Sequence, residues 1–187
     1  MNARELMPRA VESVVAVLDA DDLTAPTPCT DFDVRGLINH FAGTTHWLAQ
    51  VGKRAPTDPD DPYGMKQDVT TGDWRPLLRD RVCGVGAAWA DPSAWEGTID
   101  AVQMPATMIG EMALVELLVH GWDLAAATGQ QLVVDDEVGA TVHRSIAGTA
   151  EMGRQMGAYG PEVEVPPDAP AFDRALGLAG RDPLWKP

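Results

Sequence analysis

The architecture follows from the segment ATMIGEMALVELLVHGWDLAAAT, residues 106–128, which has the strongest pattern in the chain. Its apolar residues recur every three or four positions, which is the spacing of one helix face. Pro105 precedes the segment, and a proline fits the first turn of a helix. Gly129 follows it, where a glycine commonly ends a helix. The segment therefore predicts a long helix with a broad apolar face.

Four other segments show the same helical spacing of apolar residues. They are residues 3–20, 33–51, 73–90 and 135–157. Asp33 is a suitable N-cap for the second of these segments. Strand patterns are nearly absent from the chain. Because each amphipathic helix must bury its apolar face against another element, these segments predict helices packed on one another.

The connections between these helices are rich in proline, glycine and aspartate. They comprise residues 21–32, residues 52–72 and residues 91–105, the last with a short extended piece at Thr98–Val102. A Pro-rich tail, residues 160–187, carries a short helical piece. We therefore expect an all-α fold, an antiparallel four-helix bundle with a long connection and a short C-terminal helix. Residues 1–187 are expected to form one domain, with the tail packed on it.

The composition excludes two classes of partner. Lys and Arg number 14 and Asp and Glu number 28, so the formal net charge is −14. Nucleic acids and anionic membrane surfaces attract basic faces, which this chain lacks the charge to build. The hydrophobic fraction of 45% is that of a globular protein, which argues against wholesale disorder.

The cysteines and the N-terminal residues bear on location. Cys29 and Cys83 allow at most one intramolecular bridge, which is not a disulfide framework. The N-terminal residues carry charge within the first five positions and have no long apolar core, so we expect no signal peptide. No run approaches the length of a membrane span. A cytoplasmic location is expected.

Glu116 and His120 form the most informative pair in the sequence. They are one helical turn apart, about 40° around the helix axis, and therefore share a face. The same face carries apolar residues, namely Ile109, Ala113, Leu124 and Ala127. Burying an unpaired carboxylate there would cost several kcal/mol, so a proton, a basic partner or a metal ion must compensate it.

His40 adds a third group to this pair, because it flanks the apolar face of the second helix. Side chains from two helices of a bundle converge in carboxylate–histidine metal sites, and two imidazoles with one carboxylate suit zinc, nickel or iron(II). Two other interpretations stay open at this point. His120 is a hydrogen-bonded core histidine, or Glu116 and a protonated histidine form an ion pair.

The remaining histidines and Cys29 have weaker cases. His46 lies about 120° around its helix from His40, so it is expected at the edge of the bundle. His143 is expected in solvent or at an interface. Cys29, in the loop before the second helix, is either a reactive thiol near a helix N-terminus or a small buried anchor, and we favour the anchor.

Two neighbours of His120 also have alternative roles. Asp123 lies about 60° around the helix from His120. It either accepts a hydrogen bond that orients the imidazole or is a solvated residue near the helix end. Trp122 is either a core residue or the wall of a pocket.

Three segments resemble a known family: TPCTDFDVRGLINHFAG, residues 27–43, LVELLVHGWDLAAATG, residues 114–129, and LAGRDPLW, residues 178–185. Together they are similar to the mycothiol-dependent maleylpyruvate isomerase N-terminal-like group of the DinB/YfiT superfamily, from about residue 3 to 185. The closing Gly-Arg-Asp-Pro is similar to a small actinobacterial branch of single-domain members.

The resemblance implies a fold and a metal site. The fold would be the DinB-like four-helix bundle. Its metal triad, a histidine on the second helix and a later Glu-x-x-x-His pair, corresponds to His40, Glu116 and His120. The ion would be divalent, zinc or nickel, with mycothiol as a co-substrate.

The resemblance also implies an activity, a metal-dependent thiol S-transferase in which the ion activates a low-molecular-weight thiol for attack on an electrophile. Its partners would be that thiol and a small electrophile, and a homodimer is a further expectation. The isomerase itself has a second domain, which we do not expect here, so isomerisation of maleylpyruvate is not the expected reaction. The alternatives are a metal-hydroxide hydrolase of amide or ester bonds and a non-enzymatic metal-binding or sensing module.

Overall fold

The computed structural model describes residues 2–62 and 66–187, and these residues are mostly helical. The prediction of an all-α fold is therefore confirmed. In the described residues the chain forms six α-helices: α1 (Ala3–Val15), α2 (Val34–Gly52), α3 (Trp74–Ala88), α4 (Ala106–Ala127), α5 (Asp136–Gln155) and α6 (Ala171–Leu178).

Side-chain caps explain where several helices begin. The Asn2 side chain accepts a hydrogen bond from the Glu5 amide, and the Glu5 carboxylate accepts one from the Asn2 amide, which is a capping box. Asp33 caps α2 as predicted, by accepting from the amide of Gly36. Asp135 caps α5 in the same way. The predicted helices 73–90, 106–128 and 135–157 agree with the structure to within two residues at each end.

The prediction for the first helix is wrong at its C-terminal end, since α1 stops at Val15 and not at residue 20. Val17 and Leu18 are still buried, which is why the apolar pattern continued past the end of the helix. Beyond that point Asp19 pairs with Arg75 of α3, and the same arginine donates to the Ala20 carbonyl. A carboxylate-rich segment is also unfavourable at the negative end of a helix dipole.

The connection between α3 and α4 is more structured than predicted. A short 3-10 turn, Pro92–Trp95, precedes a small antiparallel ribbon in which strand β1 (Thr98–Ile99) pairs with strand β2 (Met104–Pro105). Only the first two residues of the predicted extended piece belong to the ribbon. Pro105 lies at the N-cap position of α4, just before the first turn in which it was predicted, and makes no side-chain capping bond.

The predicted loop 52–72 ends in a 3-10 turn, Val69–Thr71, and its residues 63–65 lie outside the described part of the chain. Asp68 joins this turn to α2 by accepting hydrogen bonds from Asn39 and Arg35. Among the described residues, no helix combines the length and hydrophobicity that a membrane-spanning segment requires.

Helix α4 lies at the centre of the bundle and packs against α1, α2 and α5. A helix that is apolar on most sides is typically buried, and the side chains of Leu114, Leu117 and Leu118 are fully buried. Since α2 packs on both α3 and α4, the facing polar residues of α2 and α4 lie half-buried or buried beside this core.

The C-terminal tail packs against α5 through α6. The Val163 amide donates to the Gly177 carbonyl, so the segment before α6 is bonded to the helix itself. Gly180 then turns the chain with φ +83°, and its Cα lies close to the backbone of Gly160. This close approach brings the residues after Gly180 back to the bundle.

Gly180→Ala is expected to destabilise the protein by at least about 2 kcal/mol. A side chain at positive φ costs roughly 1–2 kcal/mol, and the added Cβ would also lie 2.7 Å from the Gly160 Cα. Urea denaturation measures the change. Gly97→Ala is the matched control, because Gly97 has a similar φ of +67° with open space around it. Equal losses for the two variants would contradict the tight contact at Gly180.

Candidate metal centre

The packing of α2 on α4 brings the three predicted site residues together. Glu116 Oε2 lies 3.5 Å from His120 Nε2 and 3.9 Å from His40 Nε2. The two imidazole rings meet edge to face, with centroids 4.8 Å apart. One ligand atom from each residue lies within 4.8 Å of the others. The residues are therefore placed as a cluster of two nitrogens and one carboxylate oxygen.

The carboxylate of Glu116 carries the strongest evidence for an ion. Its Oε2 atom is buried and, in the described structure, forms no hydrogen bond. Buried carboxylate oxygens are normally paired, because desolvation without a partner is costly. Two ring nitrogens lie close to this oxygen, His120 Nε2 and His40 Nε2. A divalent cation bound by all three atoms would satisfy them together, so the residues fit such an ion.

His40 is suited to act as a neutral ligand. Burial, and after it the charges of His120 and Arg181, lower the pKa of the His40 imidazole to about 4. Phe32 stacks on the ring, with centroids 4.8 Å apart, and holds its plane. Since the ring is neutral near pH 7, an ion pair between Glu116 and protonated His40 is disfavoured there. Of the alternatives open from sequence, a metal ligand is favoured for this residue.

Asp123 orients the imidazole of His120. Its Oδ2 lies 3.0 Å from His120 Nδ1, and the carboxylate is fully buried. An ionised carboxylate only accepts hydrogen bonds, so Nδ1 is the donor and the ring is turned with Nε2 on the side of Glu116. The interpretation of Asp123 as a solvated residue is wrong, because the tail covers it.

Arg181 is the site residue that sequence reasoning missed. Its guanidinium is buried and its NH2 group donates to Asp123 Oδ2 at 3.1 Å. The residue stood in the quoted Gly-Arg-Asp-Pro segment, but nothing in a helical period links a tail residue to α4. The signal in the sequence that could have found it is Asp123 on an apolar helix, because a buried aspartate normally needs a positively charged partner.

Tyr159 is a second such residue. It follows α5, and its ring packs against the hydrophobic core. Burial and the neighbouring charge of Glu116 raise the pKa of its phenol. The same hydroxyl is hydrogen-bonded to the side chain of Thr149 on α5, so the phenol lies near Glu116 but is already engaged.

Cys29 lies behind His120 and is buried, as expected for a loop anchor. Its thiol, His120 and Asp123 form a second group of ligand atoms within 4.8 Å of one another. Burial raises the pKa of this thiol, and the Arg181 guanidinium already occupies the Asp123 carboxylate. A cation is therefore better accommodated by the first group, in which Glu116 Oε2 has no hydrogen-bond partner among the described residues.

The other histidines and Trp122 lie outside both groups of candidate ligands in the described residues. His46 lines a groove between α2 and α3, together with Lys53 and Arg81. His143 is half-buried on α5. Trp122 is also half-buried and packs against the hydrophobic core. The structure thus separates the three clustered residues from the remaining candidates.

Comparisons with known proteins place the chain in a family and identify two relatives. The chain matches the family model described as mycothiol maleylpyruvate isomerase N-terminal domain over residues 6–125. Two proteins of Mycobacterium tuberculosis, from strains CDC 1551 and H37Rv and both described as uncharacterised, are 28% identical over 178 residues. Each alignment covers 92% of this chain and 92% of the relative. No solved structure matches significantly. The matched range contains the clustered triad but not Arg181.

Proposed function

Since the chain belongs to the mycothiol maleylpyruvate isomerase N-terminal domain family, we propose that it is a metal-dependent enzyme that transfers a mycothiol-like thiol to an electrophile. The observation that carries the proposal is the buried, unpartnered Oε2 of Glu116, which faces the Nε2 atoms of two histidines. The family supports a mycothiol-related role. The specific reaction that we propose within this role is S-transfer.

His40, Glu116 and His120 would hold the ion, with zinc and nickel as the metals that suit this donor set. Bound there, a divalent ion would supply a Lewis acid that lowers the pKa of a thiol, so that it is a thiolate near neutral pH. Three protein ligands leave a position for an exogenous ligand, whereas structural zinc sites have four. In the described residues the group contains three ligand atoms, which supports a catalytic site over a structural one.

The chain's own residues prepare this site. Glu116 provides one negative charge, and the neutral His40 adds none, so the site keeps a net attraction for a cation. Asp123 holds the His120 ring in place through its contact with Nδ1. In the proposed reaction the thiol sulfur forms a bond to an electrophilic carbon while its proton passes to water. The electron pair that is displaced leaves with a leaving group, or remains on the neighbouring carbon, which then takes up a proton.

A conjugation assay tests the proposal. The protein, supplied with Zn²⁺ or Ni²⁺, is expected to accelerate the reaction of mycothiol with a bimane electrophile, and Glu116→Gln should reduce the enzymatic rate at least about 10-fold, because the site would lose its anionic ligand. Mass spectrometry of the thioether product measures the rate. EDTA-treated protein is the control for metal dependence.

A panel of carboxylic esters and amides, run with the same protein, separates the alternatives. Hydrolysis of the panel without thiol conjugation would contradict S-transfer and favour the hydrolase. Metal binding with neither activity would contradict both enzymes and favour a binding or sensing module. The electrophile, a homodimer and a cytoplasmic location stay predictions.

A further inference from the structure

Arg181 reaches the candidate metal centre from outside the region that the family model covers. The family match ends at residue 125, whereas Arg181 follows α6 near the end of the chain. The guanidinium is nevertheless buried, with the residue 5% exposed, and it is directed at the fully buried carboxylate of Asp123. The tail therefore contributes a charged group to the layer of residues directly behind His120.

The contacts form a continuous chain from the tail to the candidate ligand. Asp123 Oδ2 is shared by His120 Nδ1 at 3.0 Å and by the NH2 group of Arg181 at 3.1 Å. The Arg181 Nε group also donates to Asp123 Oδ1, at 3.4 Å. Because Arg181 contacts both carboxylate oxygens, Asp123 cannot turn away from His120 without breaking the pair with Arg181.

Arg181 is itself held by the end of α6. Its NH1 group donates to the carbonyl of Ala179 at 2.8 Å, and its backbone amide donates to the carbonyl of Leu176 at 2.9 Å. A cation is also favoured at the C-terminal end of a helix. The tight turn at Gly180 sets the direction in which Arg181 leaves α6. The guanidinium therefore has one well-defined position.

We propose that Arg181 is a positioning residue of the metal centre. By fixing the Asp123 carboxylate, it holds the His120 ring with Nδ1 as the donor to Asp123 and with Nε2 turned towards Glu116, where it would ligate a metal ion. Its guanidinium pairs with Asp123, whereas Glu116 Oε2 has no hydrogen-bond partner among the described residues and stays available to a cation. This inference deepens the proposed function, because it rests on the same metal centre.

A comparison with Arg154 distinguishes this role from simple anchoring of the tail. Arg154 also ties the tail to the bundle, since its NH1 group donates to the carbonyl of Leu178 at 3.2 Å. It has no bond to Asp123 among the hydrogen bonds of the described residues. Loss of either arginine would loosen the tail, but only loss of Arg181 would release the carboxylate that orients His120.

Zinc affinity and the tautomer of His120 test the proposal. Arg181→Met is expected to weaken Zn²⁺ binding about 10- to 100-fold in a competition titration against a chelator, which is the usual effect of losing an outer partner of a metal ligand. In metal-free protein, long-range ¹H–¹⁵N NMR is expected to show His120 protonated on Nδ1 in the wild type and a mixture of tautomers in Arg181→Met. Arg181→Lys keeps the positive charge but cannot contact both oxygens of Asp123 as the guanidinium does, so its affinity for Zn²⁺ should be intermediate.

Arg154→Met is the matched control and is expected to keep both the Zn²⁺ affinity and the tautomer of the wild type. Wild-type affinity and tautomer in Arg181→Met would overturn the proposal, as would equal effects of the two arginine variants. If Arg181→Met does not fold, the same two measurements on Arg181→Lys decide, and wild-type values there overturn it. The tautomer of His120 is measured in metal-free protein and therefore does not depend on Zn²⁺ binding. Failure of the wild type to bind Zn²⁺ would contradict the proposed metal site, whereas an unchanged tautomer in Arg181→Met would contradict the role of Arg181.

Discussion

Glu116→Gln is expected to lower the affinity of the protein for Zn²⁺ by more than about 100-fold, since loss of an outer partner alone typically costs 10- to 100-fold. The substitution keeps the size of the side chain but removes the negative charge that faces His40 and His120. His120→Ala should have an effect of the same size, because it removes a nitrogen ligand. Isothermal titration with Zn²⁺ and metal analysis of the purified protein measure both.

The metal-free stability of Glu116→Gln is a second readout. The wild-type carboxylate has a buried oxygen without a partner, which destabilises the metal-free protein. A neutral amide is less costly to bury, so thermal unfolding in EDTA should show Glu116→Gln to be at least as stable as the wild type. Most substitutions of buried residues lower the stability of a protein, so unchanged or higher stability would set Glu116 apart from a purely structural residue.

His143→Gln and His46→Gln are the controls for this prediction. Both histidines lie on helices of the same bundle and belong to neither group of candidate ligands in the described residues. They are expected to bind Zn²⁺ as the wild type does. Wild-type Zn²⁺ affinity in both Glu116→Gln and His120→Ala would show that this cluster is not the metal centre.

Trp89→Ala is expected to destabilise the fold by about 3–5 kcal/mol, the usual range for removing a buried aromatic side chain. Trp89 is fully buried at the end of α3, and its indole nitrogen donates to the Leu48 carbonyl of α2 at 3.0 Å. Its ring packs edge to face on Trp95, with centroids 5.2 Å apart. The indole also lies against Gly52, where an added Cβ would be 2.9 Å from Nε1. One side chain thus joins α2, α3 and the following connection.

Chemical denaturation measures this loss. Trp89→Phe should cost less than Trp89→Ala, because it keeps a ring in the core and loses mainly the hydrogen bond to Leu48. Leu184→Ala, at a residue that is 83% exposed, is the control and should change the stability by less than about 0.5 kcal/mol. A loss for Trp89→Ala as small as that of Leu184→Ala would mean that the indole does not join these elements.

The helices were accessible from sequence because their periodicity is a local property. The spacing of apolar residues in 106–128 predicted α4, and the aspartates at 33 and 135 marked the starts of α2 and α5. The same reasoning failed at the end of α1, where Val17 and Leu18 are buried but lie beyond the last helical residue. Apolar spacing reports which residues are buried, so it continued past Val15, where the helical hydrogen bonds end.

The pairing of Glu116 with His120 was likewise visible from sequence, because residues four apart share a helix face. The amphipathic pattern of α2 placed His40 beside the buried face of that helix. The resemblance then joined the three residues into one site. Their meeting in space depended on how α2 packs on α4, which helical spacing does not specify.

The sequence by itself established an all-α bundle and a carboxylate–histidine pair on an apolar helix face, because helical spacing needs only neighbouring residues. The fold added the surroundings of that pair. It showed that Glu116 has a buried oxygen with no hydrogen-bond partner in residues 2–62 and 66–187, and that Asp123 is contacted by Arg181 from a tail 58 residues further along the chain. Such contacts form only when distant segments close a long loop and pack, so no local pattern encodes them.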